Sequence, residues 1–158
     1  MKPQVVRLAM ISIALFLSTA ATVQAEGRHC SAALDVGKWA YSYSGSLILP
    51  TGPVPAAAVG HFFIDISGNF SGTQTRTVGG VTAVESISGN STISPDCTGA
   101  TNVNVYVNGV LQRSAVLALV YDKDQKHFNG IFLSLTLPDG TNIPVVITLE
   151  GNQMFPKD

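Results

Sequence analysis

Beyond residue 25 apolar and polar positions alternate along runs of the chain, and the alternation breaks at regular intervals on glycine, asparagine and aspartate. A period of two puts successive side chains on opposite faces of a strand. The breaks fall at Ser67-Gly68-Asn69, Gly79-Gly80, Pro95 to Gly99, Asn108-Gly109, Asp122 to Gln125 and Asp139-Gly140. Asn-Gly, Asp-Gly and Gly-Gly tolerate positive φ and suit tight hairpins. Between the breaks the pattern predicts eight strands: Lys38–Leu49, Ala56–Ile66, Phe70–Val78, Val81–Ile93, Thr101–Val107, Val110–Tyr121, Lys126–Leu137 and Ile143–Glu150. Pro50 to Pro55 holds three prolines and one glycine and reads as a loop crossing a barrel mouth. Nothing after residue 25 sustains an apolar period of 3.6, so little or no helix is expected there.

Eight strands in meander order fit a closed up-and-down barrel or a two-sheet sandwich. Closure removes the sheet edges, which matters for a chain of which only 12% is charged. The expectation is therefore an all-β, eight-stranded antiparallel up-and-down barrel, with room for a packed interior or one small ligand. Short turns at both ends, Ser- and Thr-rich strands and no repeated aromatic girdle speak against an outer-membrane barrel.

Met1 to Ala25 has the pattern of a secretory signal helix. Lys2 and Arg7 precede the apolar run Leu8 to Leu17, and Val23-Gln24-Ala25 ends a stretch of small residues. Cleavage is expected before Glu26, which leaves one domain over residues 26–158, secreted or periplasmic. Cys30 follows Gly27-Arg28-His29, unlike the apolar lead-in of a lipoprotein. Without Lys2 and Arg7, seven of the nine Lys and Arg remain against ten Asp and Glu. No basic patch is left for nucleic acid. No later apolar run is long enough for a membrane helix. Cys30 and Cys97 both lie in the exported part, where disulfides persist, so one Cys30–Cys97 bridge is expected rather than two free thiols. The oligomeric state is not written in these patterns.

A two-residue turn at Gly79-Gly80 sets a register. Val78 then faces Val81, Arg76 faces Ala83, and Gln74 faces Glu85. One face carries Phe70, Gly72, Gln74, Arg76, Val78, Val81, Ala83, Glu85 and Ile87; the other is mostly Ser and Thr. The first face reads as the interior. A three-residue turn at Ser67-Gly68-Asn69 would add Phe62, Ile64 and Ile66 to it. Gln74, Arg76 and Glu85 are thereby placed inside the barrel, with Arg76 and Glu85 diagonal neighbours. Two bland alternatives stand beside a functional one: a single internal salt bridge, or a register slip that turns all three outward. The functional alternative is a polar anchor, or an acid/base pair, in an apolar cavity. Trp39, Tyr41 and Tyr43 share a face of the first strand. Trp39 reads as an end plug, and the tyrosines read as core or as ligand-stacking residues.

Other chemistries find little support. There is no Gly-x-Ser-x-Gly element, no glycine-rich phosphate loop and no metal-ligand spacing, so no cofactor or metal is expected. Asp122 and Asp124 read as a hairpin turn rather than a calcium loop. His29, His61 and His127 read as surface residues.

The segments Gly-Lys-Trp-Ala-Tyr-Ser-Tyr-Ser-Gly from Gly37, Gly-His-Phe-Phe-Ile-Asp-Ile-Ser-Gly-Asn from Gly60, and Asp-Cys-Thr-Gly from Asp96 carry a resemblance. The chain from Gly37 to Glu150 resembles a group of uncharacterised secreted bacterial proteins that look like barrels of the allene-oxide-cyclase-like type. Its Gly-x-Trp opening is also similar to the start of lipocalin-type, calycin barrels. The resemblance implies a barrel and a bacterial, exported setting. It transfers no catalytic residue, because no motif of the plant cyclases matches here.

Three functions follow as expectations. The first is an exported barrel that binds a small, mostly apolar molecule inside, with Gln74, Arg76, Glu85, Tyr41 and Tyr43 as lining residues. The second is an isomerase or cyclase using Glu85 as acid/base and Arg76 as anion anchor. The third is a structural or surface-interaction protein with a filled core.

Overall fold

The computed structural model describes residues 29–154, and the side chain of residue 34 is left aside. The signal segment and its cleavage point before Glu26 lie outside the described residues. Eight strands follow one short helix: α1 Ala32–Asp35, β1 Gly37–Leu49, β2 Gly52–Ile64, β3 Asn69–Val78, β4 Val81–Ile93, β5 Thr98–Val107, β6 Val110–Tyr121, β7 His127–Thr136 and β8 Val145–Met154. Each strand pairs with the next, and β1 pairs antiparallel with β8, which closes the barrel. The chain is thus an all-β, closed, eight-stranded antiparallel barrel. Among the described residues no helix is long and apolar enough to cross a membrane.

Local turn chemistry sets much of the register. The Gly79-Gly80 turn, with both φ positive, pairs Val78 with Val81, Arg76 with Ala83 and Gln74 with Glu85. Alternation then sends Phe70, Gln74, Glu85 and Ile87 into the core.

Two sequence expectations are corrected. Ile66 is exposed rather than internal, because β2 ends at Ile64 and the chain turns over Asp65 to Gly68. The Asp65 carboxylate accepts the Ser67 and Asn69 amides and so makes this turn longer than three residues. The second correction concerns Pro50 to Pro55. The chain turns tightly at Pro50-Thr51, Leu49 pairs with Gly52, and both Pro53 and Pro55 lie within β2. A residue's N–H and C=O point to the same side of a strand. The Pro55 carbonyl accepts Gly79 N–H on the β3 side, and Pro53 faces the same way, past the last β2–β3 pair at Ala56 and Val78. Neither ring therefore displaces a ladder donor.

The two ends of the barrel differ. At one end the N-terminal arm forms a plug. Cys30 is bonded to Cys97, 67 positions along the sequence, with Cα atoms 5.0 Å apart. The fully buried Gln125 clamps Ser31, its Oε1 accepting Ser31 N–H (2.7 Å) and its Nε2 donating to Ser31 O (3.0 Å). Trp39, also fully buried, donates its indole N–H to Asp35 O at 2.9 Å and so satisfies a carbonyl at the end of α1. Trp39 sits among Phe62, Tyr121 and Phe128, with ring centroids 5.4–6.4 Å apart. At the other end are the turns 50–51, 79–80 and 108–109 and the longer β7–β8 connection, and among the described residues the plug of residues 29–36 lies at the opposite end.

Candidate ligand-binding site

A polar layer crosses the middle of the barrel. Glu85 is at its centre, with a fully buried side chain. Its Oε1 accepts Arg76 Nε (2.9 Å) and Arg113 Nη1 (2.8 Å); its Oε2 accepts Gln74 Nε2 (2.6 Å) and Arg113 Nη2 (2.5 Å). Arg113 thus grips both oxygens in a planar fork, the strongest geometry for such a pair. Gln74 Oε1 in turn accepts the Tyr41 hydroxyl at 2.6 Å. That bond spans β2, and Gly60 makes it possible. Gly60 lies between Tyr41 and Gln74 in the ladder, and a Cβ there would come within 2.8 Å of the Tyr41 ring and 2.9 Å of Gln74 Cβ.

Electrostatics follow from this geometry. Burial alone pushes the Glu85 carboxyl up, but hydrogen bonds from Arg113 and Gln74 and the charges of Arg113 and Arg76 overcome it and hold the group at about 2. Burial disfavours the Arg113 cation, yet Glu85 more than restores it and leaves its pKa raised. Burial raises the Tyr41 and Tyr43 hydroxyls, so both stay neutral, Tyr41 donating to Gln74 and the Tyr43 oxygen accepting from Arg113.

Two voids adjoin the layer. On the plugged side an internal void of about 70 Å³ is lined by Tyr41, Gln74, Phe62, Phe70, Leu117 and Asp35, among others. On the open side a mouth of about 280 Å³ is lined by Leu47, Leu49, Arg76, Val78, Leu137 and Ile143, among others. Tyr43, Arg113, Phe132 and Leu135 border both. Of the five lining residues expected from sequence, Tyr41 and Gln74 face the internal void, Arg76 the mouth and Tyr43 both. Glu85 borders neither and is enclosed by its partners. Arg113 and Asp35 were not among the expected residues. Arg113 shares the inward alternation of Ala115, Leu117, Leu119 and Tyr121, which was a signal in the sequence.

Asp35 belongs to the plug and is 4% exposed. Burial pushes its carboxyl up to about 6, and a hydrogen bond with Tyr121 only partly opposes this. The folded value lies above the ordinary 3.8, so the fold favours the protonated acid. Its stabilising contribution is complete below about pH 4 and is lost as pH rises through about 6, a loss of ~3 kcal/mol. Asp35→Asn keeps the neutral shape, so urea midpoints of this variant should be nearly flat between about pH 4 and 7 where those of the wild type fall. Parallel pH profiles for the two proteins would refute this role for Asp35.

His29 and His61 are exposed and His127 is half-buried. Among the described residues no three His, Cys, Asp or Glu side chains are grouped as metal ligands. Asp96 accepts the Thr98 amide and hydroxyl (3.1 and 2.7 Å), and so serves the Pro95–Gly99 turn.

No protein-family model and no curated protein matches the chain. Among solved structures it is similar to a redesigned β-barrel, mFAP1, bound to DFHBI. Sequence identity is 17%, the TM-score is 0.50, and the match covers 78% of this chain and 98% of that one. It is also similar to EF1p2_mFAP2b bound to DFHBI, at 14% identity and a TM-score of 0.50, covering 78% and 97%. These likenesses concern the barrel fold.

Proposed function

We propose that this chain is an exported bacterial binding barrel, of the allene-oxide-cyclase-like type, that takes a small, mostly apolar molecule through its open end. The observation that carries the reading is the asymmetry of the barrel. One end is plugged and cross-linked, while the other opens as an apolar-walled mouth of about 280 Å³ over a polar floor. Ligand sites combine these features: apolar walls, a few fixed polar groups and a volume from roughly 300 Å³ upward. The internal void, at about 70 Å³, has space for only a few waters or the tip of a ligand. The mouth is therefore the main compartment. Two barrels of similar fold hold a small molecule, which supports the reading by analogy.

The isomerase alternative loses its acid/base. A general acid or base works best with a pKa near the operating pH and within reach of the substrate. Glu85 is held at about 2, accepts four hydrogen bonds and borders neither void.

Native mass spectrometry on protein from its own exporting host, followed by solvent extraction, tests the proposal. The expected spectrum shows a polypeptide beginning at Glu26 and carrying a reproducible small mass that denaturation releases. A bare protein, whatever its N-terminus, would move the assignment to a structural role.

A further inference from the structure

Of the two cations in the polar layer, Arg76 is the one that holds Glu85 through its Nε alone. Its Nε is bonded to Glu85, but among the described residues its two terminal nitrogens have no hydrogen-bond partner. Its side chain is 24% exposed, and it borders the mouth and not the internal void. The layer carries two cations, Arg76 and Arg113, and one anion, Glu85. Arg113 already saturates its charge against both Glu85 oxygens. The surplus positive charge therefore lies at Arg76, on the floor of the mouth.

Among the described residues no acid lines the mouth above that floor. Above it the walls are Leu47, Leu49, Val78, Leu137, Ile143 and Ile147, with Phe132 and Tyr43 at the side. The turns 50–51, 79–80 and 108–109 are uncharged. Asp139 stands on the rim, exposed, and its carboxylate accepts the Thr141 amide of its own turn at 2.9 Å. A half-buried guanidinium with an open fork at the bottom of an apolar pocket matches a planar anion with an apolar body.

Resting on the reading of the barrel as a ligand carrier, we propose that the ligand is a compact apolar carboxylate. Its acid head sits on the Arg76 terminal nitrogens, and its body fills the mouth between Phe132, Val78 and Ile143.

The test compares 2-naphthoate with the neutral 2-naphthalenemethanol, titrated into the oxidised protein and followed by ligand fluorescence and by leucine and isoleucine methyl shifts. The wild type should prefer the carboxylate by at least about tenfold, as expected for a charge-assisted hydrogen bond. The preference should shrink with added salt, because the site is partly exposed. Shifts should concentrate at Leu47, Leu137 and Ile143 rather than at Leu117 and Ile64. In Arg76→Met the carboxylate should lose its advantage while the alcohol binds as before. Should that variant not fold, the salt dependence of the wild-type preference decides by itself.

Equal binding of the two probes to the wild type, or a preference that survives in Arg76→Met, overturns the carboxylate assignment and leaves the carrier reading standing. If neither probe binds but the native protein carries a neutral ligand, the assignment is likewise overturned. If neither binds and the native protein is bare, the carrier reading falls as well.

Discussion

Replacing Arg113 with methionine should cost the fold about 3–5 kcal/mol, the usual penalty for leaving one member of a buried ion pair without its partner. Glu85 has no solvent-exposed side-chain surface, so water cannot take over the two hydrogen bonds that Arg113 supplies. Arg76 and Gln74 would remain, one on each oxygen. The double variant Glu85→Leu with Arg113→Met should lose less than the single one. Removing both charges avoids the desolvated anion, and Arg76 can be hydrated from the mouth. Urea unfolding of the wild type, both singles and the double gives the coupling directly. A loss below about 1 kcal/mol in Arg113→Met would show that the layer does not support the barrel.

The same layer predicts an acid limit. The Glu85 value is depressed from 4.5 to about 2, so its stabilising contribution is complete above about pH 4.5 and disappears as pH falls toward 2. With Asp35 weakening the fold as pH rises through about 6, wild-type stability should be greatest near pH 4–5.

Removal of the disulfide is the second large effect. The bridge joins residues 67 apart in sequence, and the chain-entropy model gives an upper estimate of ~4 kcal/mol for a loop of that length. For a domain of this size that corresponds to a melting temperature lower by roughly 10 °C or more. The arm around α1 would still be held by the Gln125 clamp on Ser31 and by Trp39 on Asp35 O. Cys97→Ser should therefore weaken the fold without opening the mouth, which lies at the other end. Calorimetry on oxidised wild type and on Cys30→Ser/Cys97→Ser measures the loss. Equal melting temperatures would show that the bridge adds nothing to stability.

Export is read from residues 1–25, and the family resemblance from the motifs around Gly37, Gly60 and Asp96. Mass analysis of the protein from its own host tests the export directly, through its N-terminus.

What the sequence by itself determined is local. Gly79-Gly80 specifies a two-residue turn, the turn sets the β3–β4 register, and strand alternation then sends Gln74, Arg76 and Glu85 to the same face. Each step involves residues close together in the chain, so each was legible. Pro50 to Pro55 was misread because a proline in a strand is acceptable only where its nitrogen faces no ladder partner, and that depends on where β3 stops. Arg113 gave two conflicting signals. A two-residue turn at Asn108-Gly109, continued without a break, would place Gln112 opposite Val105 and turn Arg113 outward. Alternation along β6 places Arg113 inward with Ala115 and Leu117. A bulge between Val105 and Tyr106 resolves the conflict by pairing Val105 with Arg113 and leaving Gln112 over. Only the closed barrel then brings Arg113 to Glu85 across β5, folds Asp35 under the plug, and divides the interior into a small void and an open mouth. Those outcomes depend on strand stagger and closure, which join residues far apart in the chain and leave no short-range signature in it.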